Sequence, residues 1–205
     1  PEDSVEIIAM ADGDVVADDH WLRDLVTPLV QDGSIGVTYG NRWFVPPRFR
    51  MGTLVRSLWN MAATSIMYHQ KMPWGGCYAT RMSAVREGGL IEEWAKVGAL
   101  DMFTTREMKR LGLKIEFVPT LMMVNREECG LPFSFNFIRR QITWAQLYNP
   151  VWPMAVLHSV LGAGMLATAL ILLLIGVAQQ HSTSVAWSGA GLAVYCLGLT
   201  AAVLA

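Results

Sequence analysis

Asp12-Gly13-Asp14 is the first stretch of this chain with chemistry in its side chains. Two carboxylates flanking a glycine can approach one divalent cation together, because no bulky side chain stands between them. Hard oxygen ligands suit Mg²⁺ or Mn²⁺, and such an ion commonly bridges to phosphate oxygens. On its own the tripeptide reads more readily as an acidic turn or, with Asp18 and Asp19, as a helix-capping cluster. Asp101, in GALDMFTTREMKRLG, stands where a loop becomes a helix. A carboxylate there is usually a cap or dipole partner; its other use is as a general base that takes a proton from a hydroxyl. Arg139 to Trp144 reads RRQITW. On a helix Arg140 and Trp144 are i, i+4 neighbours on one face. A guanidinium holds phosphate oxygens and an indole walls a ligand site, but an Arg and a Trp beside an apolar tail are equally a membrane-edge anchor.

The elements that position these groups follow from the apolar pattern. Val5 to Met10 reads as a short strand, so Asp12 and Asp14 fall at its carboxyl end, the edge at which open α/β sheets bind ligands. His20 to Gln31 has helical spacing, with Leu22, Leu25, Val26 and Leu29 on one face and Asp18 or Asp19 as the cap. Ile35 to Tyr39 reads as a second strand. Met51 to Tyr68 is a helix holding Leu54, Leu58, Met61 and Met67, with Arg48, Arg50 and Arg56 clustered at its start. It lies on a membrane surface or is a core helix with a solvated face. After Pro73 to Gly76, Tyr78 to Val85 suits a turn or short strand leading into a helix. Asp101 to Leu111 is helical and ends at Gly112; Leu113 to Val118 is a strand stopped by Pro119; Phe135 to Leu147 is a helix. Strands alternating with helices predict an α/β sheet.

The charge is unevenly spread. The 205 residues are 53% hydrophobic with a formal net charge of -1, which gives no case for nucleic acid, since that would call for a strongly basic face. After Arg140 there is no Asp, Glu, Lys or Arg. Val151 to Ala178 is 28 residues without a formal charge, enough to cross a bilayer, with Trp152 and Pro153 marking its start. QQHSTS follows, then a second apolar segment at 185–205, so two transmembrane helices are expected, with His158 a packing or interface residue. Arg126, Arg139 and Arg140 precede the first span, and the loop after it has no basic Lys or Arg. This places the front part, 1–149, on the cytoplasmic side of an integral membrane protein whose membrane region is 150–205. Cys77, Cys129 and Cys196 form no CxxC pair, so neither a disulfide framework nor a zinc site is expected. The missing initiator Met and the apolar run at the end read as a piece of a longer protein.

Taken in order, ADGD, a downstream Asp before a helix, and R-x-x-x-W ahead of apolar helices resemble the membrane-bound inverting glycosyltransferases of the family 2 type. The nearest resemblance is to ceramide glucosyltransferases, glycosyltransferase family 21, which carry DxD, a later Asp and a (Q/R)xxRW motif. Gly75 to Arg81, GGCYATR, is similar to their GGxxAxR turn, and the likeness covers about residues 5 to 178. The resemblance implies a GT-A (Rossmann-like) domain lacking its N-terminal nucleotide-binding part, a UDP-hexose or similar nucleotide-sugar donor, a lipid acceptor and a divalent cation. It assigns Asp14 to the metal, Asp12 to the metal or the donor, and Asp101 to the base. Arg140 and Trp144 match the first and last positions of (Q/R)xxRW at the donor diphosphate, and Gly75 and Gly76 fall on the acceptor side. Thr143 stands where the family has Arg; Arg139, one helical turn earlier, is the cation expected in its place. The implied reaction is inverting transfer of a hexose to a lipid such as ceramide. A processive polysaccharide synthase with more membrane helices, and an inactive membrane-anchored scaffold, are the alternatives.

Overall fold

The computed structural model describes residues 4–48, 50–96, 98, 100–149 and 152–204. It divides into two compact units, Pro1–Tyr148 and Asn149–Ala205. Pro150 and Val151, at the expected boundary and at the start of the expected first span, lie outside the described residues.

The first unit is a mixed α/β structure. β1 (Ile7–Ala11), β2 (Ile35–Phe44), β3 (Cys77–Arg81) and β4 (Lys114–Asn125) form a four-stranded sheet in the order β1-β3-β2-β4. β3 pairs antiparallel with β1 and β2, while β2 and β4 are parallel. Hence β1, β2 and β4 run one way and β3 runs the other. The carboxyl ends of β1 and β2 therefore share an edge with the amino end of β3, which brings Asp12, the end of β2 and Gly75-Gly76 to one side of the sheet.

Side chains alternate between the faces of a strand, and here both faces are covered. Cys77 and Ala79 of β3 pack with Leu25 and Leu29 of α1 (Trp21–Gln31). Tyr78, between them, belongs to the opposite cluster. That cluster includes Met82 and Val85 of α3 (Met82–Glu87), Leu90 of α4 (Leu90–Trp94) and Met108 of α5 (Leu100–Arg110). The expected buried face of α1 is shifted. Leu25 and Leu29 are fully buried, but Leu22 is 55% exposed, and Trp21, one turn before Leu25, packs in its stead. Nor does Asp18 or Asp19 occupy the cap position, which is His20; Asp18 instead accepts the His20 N–H through Oδ1 at 2.8 Å and closes the turn ahead of the helix.

Two strands outrun their expected ends. β4 does not stop at Pro119; it continues to Asn125, and β2 continues with it to Phe44. The register explains how. Tyr39 pairs with Phe117, and the next pair is Asn41 with Met122, so β4 loops out around Pro119 while β2 advances by two residues. A bulge is where a strand tolerates a residue without an N–H. Opposite it stands Gly40, where a Cβ would overlap the Leu121 carbonyl oxygen.

α2 (Met51–Gln70) packs on α6 (Leu131–Tyr148) with an inverted surface. Its buried residues are Gly52, Thr53, Arg56, Asn60 and Thr64, while Met51, Val55, Leu58 and Ile66 are exposed. Polar burial requires partners, and on this face, among the described residues, all but the buried Arg56 Nε have one. Arg56, 1% exposed, donates to Glu127 Oε2 and to the Glu127 carbonyl, each at 2.6 Å, and lies 4.3 Å from the centroid of the Phe44 ring. Thr53 Oγ1 accepts the Cys129 N–H at 3.1 Å, and Ser134 Oγ donates to the Gly52 carbonyl at 2.5 Å. The expectation of a core helix with a solvated face is thus reversed, because the face α2 leaves open is its apolar one.

The second unit is a helical hairpin of α7 (Trp152–Ala178) and α8 (Ser182–Leu204). Gly176 admits the close approach of the helices, since a Cβ there would lie 3.0 Å from the Ser184 Cβ. Among the described residues, one stretch is long and apolar enough to cross a membrane, Val160–Ala178, and almost none of it is buried. The second expected span forms α8. Its last residue, Ala205, and the side chains of 198–204 lie outside what is described, as does the side chain of His158.

Candidate active site

Asp12 continues the ladder beyond β1, its N–H donating to the Gly76 carbonyl at 3.1 Å. Its own carbonyl accepts the Val15 N–H at 3.1 Å, and the chain turns there. Asp12 and Asp14 are both exposed and line one cleft of about 340 Å³ with Asp18, Trp21, Trp74 and residues 120–125 of β4. Neither carboxylate is engaged by a hydrogen bond or ion pair among the described residues. These acids are free to take a ligand, where capping carboxylates would already be spent.

Gly75-Gly76 joins this pair to Asp101. A Cβ on Gly76 would overlap both Asp12 Oδ2 and the Trp74 ring, so glycine is what lets the carboxylate lie over the backbone. Gly75 reaches the other way. Its N–H hydrogen-bonds the Asp101 carboxylate, and a Cβ there would stand 3.9 Å from Asp101 Oδ2. Asp101 occupies the first turn of α5 and accepts the Met102 N–H at 2.8 Å. Burial raises its pKa above the ordinary carboxylate value, outweighing the N–H groups of Met102, Asp101 and Gly75, and the Asp12 charge pushes in the same direction. Behind it the phenol of Tyr78 is buried, which raises that pKa well above the usual range.

α6 supplies the remaining expected residues. The Arg140 guanidinium lies 5.8 Å from the centroids of both Phe137 and Trp144. Trp144 lies against the backbone of Gly98, where a Cβ would be 3.4 Å from the ring. Arg139, Arg140, Thr143 and Trp144 line a second cavity of about 530 Å³ with Phe133, Asn136 and Phe137. Arg139 is exposed and also lines an apolar groove with Val55, Phe135 and Ile142. Thr143 Oγ1 donates to the Arg139 carbonyl at 2.9 Å, turned back onto its own helix.

Paired free carboxylates, a half-buried carboxylate one glycine pair away, and an Arg-Trp face on the following helix are thus parts of one folded unit. The family model of glycosyl transferase family 21 matches residues 4–205. The chain belongs to glycosyl transferase family 21. No curated protein matches it. Membership makes the protein a glycosyltransferase, an enzyme with a sugar donor and an acceptor.

In this glycosyltransferase the expected residues fall into two groups. Asp12, Gly75, Gly76 and Asp101 converge at the sheet edge, with Asp14 in the same cleft as Asp12; Arg139, Arg140 and Trp144 line the neighbouring cavity. Between them stands a residue the sequence reading missed, Arg42 of β2. It lines the carboxylate cleft, and its guanidinium lies 5.1 Å from the centroid of Phe137, the ring that Arg140 also faces. The available signal was a lone cation in the otherwise uncharged strand IGVTYGNRWF. The donor set also bears on a metal. Among the described residues no three His, Cys, Asp or Glu side chains gather to enclose an ion. Two open carboxylates fit the other mode of binding, in which Mg²⁺ is held by one or two acids, with substrate phosphates completing its shell.

Proposed function

We propose that this family 21 enzyme has a GT-A fold and transfers a hexose, glucose in the first instance, from UDP-hexose to a lipid acceptor such as ceramide, with inversion at the anomeric carbon. The observation that carries the reading is the convergence of Asp12 and Asp101, residues distant in the chain, on the two sides of Gly75-Gly76. A leaving diphosphate needs positive charge, and an attacking hydroxyl needs a base; this edge offers residues for both.

Asp14 and Asp12 would hold a Mg²⁺ or Mn²⁺ ion, which supplies positive charge opposite the donor diphosphate. Arg140, Trp144 and Arg139 would hold the donor from α6. Gly75, with Asp101 alone near the place a Cβ would take, leaves room beside Asp101 for the acceptor, and Gly76 lets Asp12 close in from the other side. As the acceptor oxygen bonds to the anomeric carbon, the bond from that carbon to the phosphate oxygen breaks. The electron pair leaves with UDP, and the hydroxyl proton passes to the Asp101 carboxylate. Attack from the side opposite the leaving group inverts the centre in one step.

A lipid acceptor is supported by the open apolar side of α2, by the exposed Phe133 and Phe135 of α6 and by the length of α7. We read the protein as an integral membrane enzyme with its catalytic unit on the cytoplasmic face. The test is transfer of label from radiolabelled UDP-glucose to ceramide in membranes holding the full chain. Wild type should give a single-sugar lipid, while Asp101→Asn should lose turnover at least a hundredfold and still bind UDP. A polymeric product, or full turnover by Asp101→Asn, would overturn the reading.

A further inference from the structure

Arg42 has no role in the reading above, yet its surroundings are those of an anion site. Register places it on β2 just past the bulge, paired with Met123. Three aromatic rings hold its guanidinium, with centroids at 5.2 Å for Trp74, 5.4 Å for Phe44 and 5.1 Å for Phe137. Ring faces fix the position of a guanidinium without consuming its N–H groups. Among the described residues, none of those five donors has a hydrogen-bond acceptor and no carboxylate lies within ion-pair distance. Arg56, the fully buried arginine of this region, shows the contrast, since two of its donors are engaged by Glu127.

The charges around Arg42 sharpen the point. Burial lowers its pKa; Asp12 and Asp14 hold it up, while Arg56 and Arg140 press it down. A divalent ion on Asp12 and Asp14 would cancel both carboxylates. The cations Arg42 and Arg140 would then face a ligand with no acid left to balance them. On α6 the motif position beside Trp144 is Thr143, bonded to its own helix, and Arg139, one turn earlier, lines the Arg140 cavity but not the carboxylate cleft, where Arg42 stands. We propose that Arg42 contacts the diphosphate of the sugar donor through its guanidinium fork. It would do so from β2, across Phe137 from Arg140, adding a cation inside the carboxylate cleft to those that α6 supplies.

This assignment rests on the nucleotide-sugar reading, and its test separates the two. The full chain in detergent, with Mn²⁺, is titrated with UDP and with UMP. A contact beyond the first phosphate changes the ratio of the two affinities; a general loosening of the site changes both alike. Arg42→Gln should weaken UDP by tenfold to about a hundredfold and UMP by less than about threefold. Arg42→Lys keeps the cation over the rings and loses the fork, so its ratio should fall by a few-fold even if the Gln variant does not fold. An unchanged ratio in either folded variant, or equal losses for both nucleotides, would overturn the role of Arg42 and leave the donor reading standing. A wild type that binds no UDP would overturn the donor reading and Arg42 with it.

Discussion

Asp101 is held in conflict: a base must be ionised, and burial opposes ionisation. Its pKa is raised above 3.8, with burial the largest cause and the Asp12 charge an added one. The folded protein therefore holds this proton more tightly than the unfolded chain does. As pH rises from the ordinary carboxylate value through the raised one, folding stability falls, and above the raised value the loss is constant. Activity runs the opposite way, because turnover needs the ionised form. The acid limb of kcat against pH should accordingly lie above pH 3.8. In the metal-free protein, where the Asp12 charge is not cancelled, Asp12→Asn should move the titration of Asp101 towards acid. A limb at or below the ordinary carboxylate value would show that another group limits the rate. The residues that carry motifs were legible at this scale because their types and spacing are unusual. Arg42 was not, because one arginine in a strand has no spacing to read, and only the meeting of β2 with Trp74 and Phe137 gives it a context.

Elements make that meeting possible, and the decisive one is the bulge between β2 and β4. Periodicity located the helices well, since α1, α2, α5 and α6 each repeat apolar residues at helical spacing, but it stopped both strands early. Pro119 reads locally as a strand breaker, yet the parallel neighbour β2 pairs with β4 again beyond it, at Asn41 with Met122. That pairing depends on residues far apart in the chain and so leaves no local signature. The inverted face of α2 was hidden for a similar reason. Which side of a helix is buried is set by its partners, here Glu127 and the Gly52–Gly130 approach, rather than by its own pattern. Gly40→Ala tests the bulge. Its Cβ would overlap the Leu121 carbonyl oxygen, a backbone atom that cannot rotate aside. The variant should lose about 3 kcal/mol of stability in chemical denaturation of the detergent-solubilised protein. It should also weaken UDP binding, because Asn41 and Arg42 follow directly. A loss below about 1 kcal/mol would mean that the sheet relaxes at little cost and that the bulge does not position Arg42.

At the scale of the whole molecule, the partition of charge marks a charged front part and an apolar tail, the compositions that water and a bilayer respectively select. What composition did not reveal is that the catalytic unit has a greasy side of its own, with Val55, Leu58, Phe133 and Phe135 exposed on α2 and α6. On the proposed membrane reading, two modes of attachment compete. The 19 residues of Val160–Ala178 reach about 28 Å at about 1.5 Å each, close to the hydrocarbon thickness of about 30 Å. A helix of that length resists extraction once inserted, whereas an apolar face lying at the interface is held by area and is reversible. Both buried clusters of the first unit lie wholly before Tyr148, so a chain ending there retains its core. In membranes washed with alkaline carbonate, the full chain should stay in the pellet, and the chain ending at Tyr148 should move to the supernatant. At neutral pH, that truncated chain should still sediment with lipid vesicles through α2 and α6, and Leu58→Glu should weaken its attachment. Carbonate resistance of the truncated chain would make the catalytic unit the true anchor and α7 dispensable for attachment. Loss of vesicle binding at neutral pH would instead leave the open face of α2 without a membrane role, and with it the route by which a lipid acceptor is proposed to reach Asp101.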